Sequence, residues 1–221
     1  MYDEKVSGDS LQAAIFDYGG VMAKSPVGRV HMLASEFNAE PNLFLSLFLG
    51  ENEDYVNPWF EAECGRQPLN DDFAVKMQKI LDPHGATFDL DVFLPWVAEA
   101  ENEADESMDE AVKWLRAKGI SVALLTNAVP EFRPVIENTV PIYELFDVIV
   151  DSSEVGLRKP DRQIYELTAQ RLGVKPQSCL MVDDLIHNVA GAETTGMTGI
   201  HFHDSETALH QIKDLFGSFG N

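Results

Sequence analysis

Residues 12–20, QAAIFDYGG, hold a short apolar run that stops at an acid, Asp17, and is followed by a glycine pair, Gly19 and Gly20. The same design returns further down the chain. Residues 120–126 (ISVALLT) end in Thr126, residues 147–150 (DVIV) and 179–183 (CLMVD) repeat the pattern, and 199–202 (GIHF) give a fifth run. Runs this short and continuous, without polar alternation, read as parallel strands buried on both faces. Helical patterns fill the intervals. Ser107 and Glu110 have the spacing of a capping box, Met108, Ala111, Val112 and Leu115 share one face, and Gly119 ends that helix. A second helix starts near Pro160–Asp161 and turns Ile164, Leu167, Thr168 and Leu172 inward. Leu209, Ile212, Leu215 and Phe216 mark a last one. The alternation predicts an α/β protein built on a doubly wound parallel sheet.

Residues 24–100 break this rhythm. A β-α-β crossover takes about 30 residues, yet 109 positions separate Asp17 from Thr126. The excess carries helical patterns and turn signals such as Pro41, Gly50, Pro58, Gly65, Pro83 and Gly85, and no convincing strand. It reads as an all-helical insertion. The expected organisation is therefore a discontinuous core, residues 1–23 and 101–221, with a helical cap over 24–100. The run from Glu99 to Glu110 holds seven acids and no base, as a solvated return from cap to core would.

The chain has 221 residues, long enough to bury roughly 70% of its unfolded surface. Its 16 Lys and Arg stand against 37 Asp and Glu, a net charge of −21. That charge repels phosphate backbones and anionic lipid, so neither nucleic acid nor a membrane surface is an expected partner. Two cysteines, Cys64 and Cys179, make neither a disulfide framework nor a thiolate zinc site. The opening MYDEKVSGDSLQ is polar and acidic, and the expectation is a soluble, cytoplasmic protein, monomeric or homodimeric.

Open parallel sheets bind ligands outside the carboxyl ends of their strands. The polar residues falling there are Asp17, Thr126, Lys159 just past the third strand, and the pair Asp183–Asp184. A nucleophilic carboxylate, a hydroxyl donor, a cation and two acids make a phosphoryl-transfer inventory. Asp17 can attack phosphorus, and with Asp183 it can hold a hard, oxygen-liganded ion such as Mg²⁺. Lys159 and Thr126 can offset charge on the equatorial oxygens.

With those residues in place, the sequence resembles the haloacid dehalogenase (HAD) superfamily. IFDYGGV, LLTN, GLRKPDRQIY and VDDLIHNVAGAETTGM match its four motifs in order, over residues 11–23 and about 105–203. The resemblance implies a Rossmann-like core, and helices placed straight after the first motif look like its C1-type cap. Carried over by position, Asp17 would be the nucleophile that forms an aspartyl-phosphate. Thr126 and Lys159 would bind the transferring group, with Asn127 placing substrate or closing the oxyanion pocket. Asp17, Asp183, Asp184 and the backbone carbonyl of Gly19 would hold Mg²⁺, and Asn188 would brace the loop after Asp184. Phosphatases of the superfamily usually read D-x-D, where the second Asp is the general acid and base. Here that position is Gly19. D-x-G-G/N-V variants resemble subgroups related to sugar-1-phosphate hydrolases and to helical-capped phosphatase domains. The expected substrate is a small phosphorylated metabolite with a good leaving group. A 2-haloacid dehalogenase and a catalytically silent ligand-binding relative are the competing expectations. The retained acid pair speaks against the first of these, and Gly19 is the support for the second.

Other residues read more plainly. His201 and His203 lie two apart on a strand and share a face, which packing explains. His187 sits beside the acid pair at a helix start. LFLSLFL, residues 43–49, is apolar all round and reads as buried cap core. In WFEAECGRQPLNDDF a helix ends at Gly65 and another is capped near Asn70, with Trp59 and Arg66 candidates to face substrate.

Overall fold

The computed structural model describes residues 10–50, 56–98 and 103–217. Five strands, β1 (Ala13–Phe16), β2 (Ser121–Thr126), β3 (Val148–Asp151), β4 (Cys179–Asp183) and β5 (Thr198–His201), form one sheet. Its order is β3-β2-β1-β4-β5 and each pairing is parallel. Phe16 lies opposite Leu124 on one side and Val182 on the other. This register brings the carboxyl ends of β1, β2 and β4 level. The chain reverses its winding between β1 and β4, and a doubly wound sheet opens its crevice at such a switch point. Asp17 and Asp183 stand at the two strand ends that border it.

Alternate strand residues feed opposite layers, as the period-two geometry of a strand requires. Ala14, Phe16, Val122, Leu124, Leu180 and Val182 pack with Met108, Val112 and Leu115 of α6 (Glu106–Ala117) and with Ala208 and Ile212 of α12 (Ser205–Phe216). The short helices α7 (Arg133–Thr139) and α8 (Ile142–Leu145) complete that layer. Ala13, Ile15, Ala123, Leu125, Cys179 and Met181 face the other way. They meet α10 (Arg162–Leu172) and α11 (Ile186–Glu193).

Three local expectations change. Helix α6 is capped by Asp105, whose carboxylate accepts from the backbone N–H of Ser107 (3.0 Å) and Met108 (3.1 Å), and not by the Ser107–Glu110 box. A carboxylate at that position serves two orphan donors at once. On α10 the buried stripe is Ile164, Tyr165, Thr168 and Ala169, with Leu167 and Leu172 half-buried. Leu215 on α12 is 43% exposed, because the helix turns Ala208 and Ile212 to the sheet instead. A four-residue helix that the sequence pattern gave no sign of, α9 (Ser152–Val155), follows β3 directly.

The segment between β1 and α6 is helical among its described residues: α1 (Val27–Glu36), α2 (Pro41–Leu49), α3 (Pro58–Glu63), α4 (Asp71–Leu81) and α5 (Leu90–Ala98). Asn57 caps α3 and Asn70 caps α4, each accepting from a first-turn N–H. These helices enclose a core of their own, in which Phe37, Phe44, Phe48, Trp59, Phe73, Phe93 and Trp96 form a chain of ring contacts. Residues 43–49 lie in it as expected, with Phe44, Leu47 and Phe48 buried. Entry and exit run side by side: the Lys24 N–H donates to the Glu103 carbonyl, and that of Asp105 to Met22. Of the acidic run, 99–102 lie outside the described residues. Both cysteines are buried and free, and among the described residues no helix is long and apolar enough to cross a membrane.

Candidate active site

Asp17 directly follows β1, and the chain then turns sharply, with the Tyr18 carbonyl accepting from the N–H groups of Met22 and Ala23. Gly20 is at φ +90°, and a Cβ there would stand 2.0 Å from Asp184 Oδ2, so this turn admits glycine alone. Gly19 differs. A Cβ at that position meets nothing nearer than Pro26 Cδ at 3.6 Å.

The centre of the site is Lys159, 1% exposed. Its ammonium donates to Asp17 Oδ1 at 2.6 Å and to Asp183 Oδ2 at 2.7 Å. Burial works against this charge, but the two carboxylates outweigh it and hold the amine above the ordinary lysine range. Asn127 fixes the backbone of Lys159 on both sides. It accepts from the Lys159 N–H at 2.8 Å and donates to its carbonyl at 3.0 Å. The side-chain amide expected to touch substrate is thus engaged in holding the lysine. Thr126, the last residue of β2, is buried beside it and lines the cavity.

Asp183 is fully buried, and its Oδ1 accepts from the Leu185 N–H (2.9 Å) and from Asn188 Nδ2 (3.0 Å). Asn188 therefore grips the acid itself and not only the loop beyond it. Its own carbonyl takes a 2.7 Å bond from the Tyr165 hydroxyl. Burial pushes Asp17 up to about 8; Lys159 lowers it while Asp183 and Asp184 raise it. Burial and the neighbouring Asp183 push Asp184 up to about 6.

The residues fit a divalent cation. One oxygen from each of Asp17, Asp183 and Asp184 lies within 4.8 Å of the others. Lys159 offsets only part of the charge of these three acids. Asn188 Oδ1 is buried beside them without a hydrogen-bond partner, an acceptor left over at the same place. A hard, oxygen-liganded ion matches that donor set.

A cavity of about 110 Å³ opens above this floor. Phe48, Leu49, Phe132, Ile136 and Pro26 form much of its wall, with Arg29, Glu63 and His187 among them. Trp59 and Arg66, the expected cap contacts, do not line it. Trp59 is buried in the cap core, and Arg66 turns to Glu61 and to the Gly156 carbonyl. Glu63, from the same segment, faces the cavity and is paired with Arg158 at 2.9 Å. Residues 43–49 supply cavity wall as well as core. Arg29, Glu63, Phe132 and Ile136 carry no motif that sets them apart in the sequence. His201 and His203 pack edge to face at 4.1 Å, and His201 Nε2 lies 3.0 Å from the Asp184 carbonyl. Asp151, a further strand-end acid, is occupied in capping α9 and pairing with Arg133.

A model of the haloacid dehalogenase-like hydrolases matches residues 11–196. The chain is 29% identical over 218 residues to acyl-CoA dehydrogenase family member 10 of Mus musculus, covering 95% of this chain and 20% of that protein. It is 32% identical over 114 residues to a sesquiterpene phosphatase of Aspergillus oryzae, covering 51% of this chain and 58% of that one. A phosphatase of Mycobacterium tuberculosis is 28% identical over 198 residues, 85% of each chain. Among solved structures, a HAD family enzyme of Bacteroides thetaiotaomicron in complex with magnesium and inorganic phosphate superposes with a TM-score of 0.66 at 16% identity, over 88% of this chain and 95% of that one. A dehalogenase does so at 0.64 and 21%, over 94% and 97%. These two share the fold.

Proposed function

Since the chain belongs to the haloacid dehalogenase-like hydrolases, we propose that it is a Mg²⁺-dependent phosphatase of small phosphate monoesters whose leaving oxygen is weakly basic. The observation that carries this is the bridge from Lys159 to Asp17 and Asp183, with Asp184 completing the acid triad. Asp17, Asp183, Asp184 and the Gly19 carbonyl would hold Mg²⁺. Bound there, the ion supplies charge neutralisation at the phosphoryl oxygens and keeps the carboxylates ionised.

The chain's own groups do the rest. Asp17 attacks phosphorus, and the bond to the leaving oxygen breaks as the aspartyl-phosphate forms. Lys159 fixes one oxygen of Asp17 and places a fixed positive charge beside the reacting centre. Asn127 keeps that lysine in register. Thr126 offers its hydroxyl to an equatorial oxygen. Water then hydrolyses the acyl-phosphate, releasing phosphate and restoring Asp17. Gly19 supplies no proton to the leaving group, so esters of weakly basic hydroxyls, anomeric sugar phosphates and aryl phosphates among them, are favoured over alkyl esters. The phosphatases among the relatives support the reaction class. A metal-independent dehalogenase accords less well with the triad, whose like charges repel without a counter-ion.

The test is hydrolysis of phenyl phosphate with Mg²⁺ and after chelation, together with fluoroberyllate trapping. Mg²⁺-dependent turnover and a fluoroberyllate complex that Asp17→Asn cannot form are expected. Turnover that persists in chelator would overturn the proposal.

A further inference from the structure

Much of the cavity wall has little to give a hydroxyl group. Pro26, Phe48, Leu49, Phe132 and Ile136 present hydrocarbon to the cavity. Of the polar side chains that reach the same space, Tyr18 and His187 among them, those of Arg29, Glu63, Lys24 and Asn127 are engaged within the protein. Arg29 donates to the Trp96 carbonyl and lies over its ring at 4.7 Å. Glu63 is paired with Arg158, and Lys24 with Glu103. Asn127 is taken up by the backbone of Lys159. A sugar entering phosphate-first would exchange water for hydrocarbon at one hydroxyl after another, which apolar contact does not offset.

Resting on the phosphatase assignment above, we propose that the leaving group is apolar: the substrate is the phosphate monoester of a phenol or a similarly hydrocarbon-rich, weakly basic hydroxyl, and not a sugar phosphate. Two independent features converge on this class. Gly19 brings no acid to the leaving oxygen, which favours one that departs readily, and the apolar part of the wall favours hydrocarbon around that oxygen. An anomeric sugar phosphate suits the first feature only. In the transfer step the P–O bond to the ring breaks as the bond from Asp17 to phosphorus forms. The phenolate leaves with the electron pair and takes its proton from water.

A near-isosteric pair of equal chemistry isolates the wall: 4-ethylphenyl phosphate against 4-(hydroxymethyl)phenyl phosphate, both with Mg²⁺. The ethyl compound is expected to have about tenfold higher kcat/KM, because the pair differs in a methyl against a hydroxyl that finds no partner. Leu49, at the end of α2, packs half-buried against the cap core and is not one of its fully buried members. Leu49→Gln is expected to narrow the ratio to about twofold, and Leu49→Met to keep it. Acetyl phosphate, with acetate as its leaving group, reports the phosphoryl chemistry alone. Equal rates for the pair, or preference for the hydroxymethyl compound, with acetyl phosphate hydrolysed, would overturn the apolar assignment and leave the phosphatase standing. A preference that survives both Leu49→Gln and Phe132→Gln would also overturn it. Failure on all three substrates removes the phosphatase assignment and this proposal together.

Discussion

The floor and the wall of the cavity are held together in different ways. At the strand ends the side chains of Lys159, Asn127 and Asp183 are each committed to particular neighbours. Lys159 reaches two acids at 2.6 and 2.7 Å, Asn127 clamps its backbone at 2.8 and 3.0 Å, and Asn188 links Asp183 to Tyr165. On the cap side, Phe48 touches Phe44, Trp59, Phe93 and Trp96, with ring centroids 4.9 to 6.1 Å apart. Rings give cohesion without demanding one partner, while a buried ion network fails when any member is removed. Substitutions on the floor should therefore change chemistry, and those in the cap should change stability or selectivity.

The largest expected effect is that of Asp17→Asn, which removes the proposed nucleophile while keeping its shape. Turnover should fall to the limit of detection in a protein that remains folded, measured by steady-state assay and circular dichroism. Retained activity would break the contrast at its root. Lys159→Met comes next: loss of the buried cation should lower kcat by about 10²-fold or more, not KM alone, and leaves Asp17 and Asp183 uncompensated. A pure KM effect would make the lysine a collector of substrate only.

In the cap, Phe48→Ala should lower the unfolding free energy by about 3–5 kcal/mol, measured by urea denaturation, with little change in Mg²⁺ affinity. A variant that instead lost the metal would show that the two regions are not separable. Gly19→Asp should help poor leaving groups by up to about 10²-fold and flatten the dependence on leaving-group acidity. The space for its Cβ makes the experiment feasible.

Stability should also depend on pH. Without metal, Asp17 and Asp184 are pushed up to about 8 and about 6 from an unfolded 3.8. Between roughly pH 4 and 8 the native state then keeps protons the unfolded chain has lost, so these groups lower stability as pH rises through that window. Tm of the metal-free protein should fall from pH 5 to pH 8, and more steeply than in Asp17→Asn. If Mg²⁺ binds the ionised acids as proposed, it should raise Tm more at pH 8 than at pH 5.

The sheet and its site residues were legible in sequence because a buried parallel strand leaves a continuous apolar run, and the first polar residue after it stands at the crevice. Asp17, Thr126 and Asp183 follow from that rule directly. Lys159 does so only through its motif, since α9 lies between it and β3. The hydrogen bonds of Asn127 and Asn188 were not legible, because an amide after a strand can face a ligand or a backbone equally well. The cavity wall was hidden for another reason. Phe48 and Leu49 sit in a helix apolar all round, whose pattern says that it is buried but not against what. Phe132 and Ile136 come from the turn and helix after β2, with no spacing to set them apart.

The room beside Gly19 also bears on descent. A single base change at the second codon position turns any glycine codon into one for an acid, so the mutational step towards a D-x-D arrangement is short. At Gly20 the same change would drive a side chain into Asp184. Two adjacent glycines are thus under unlike constraints: the second is held by geometry, while the first stays open to whatever substrate chemistry selection favours.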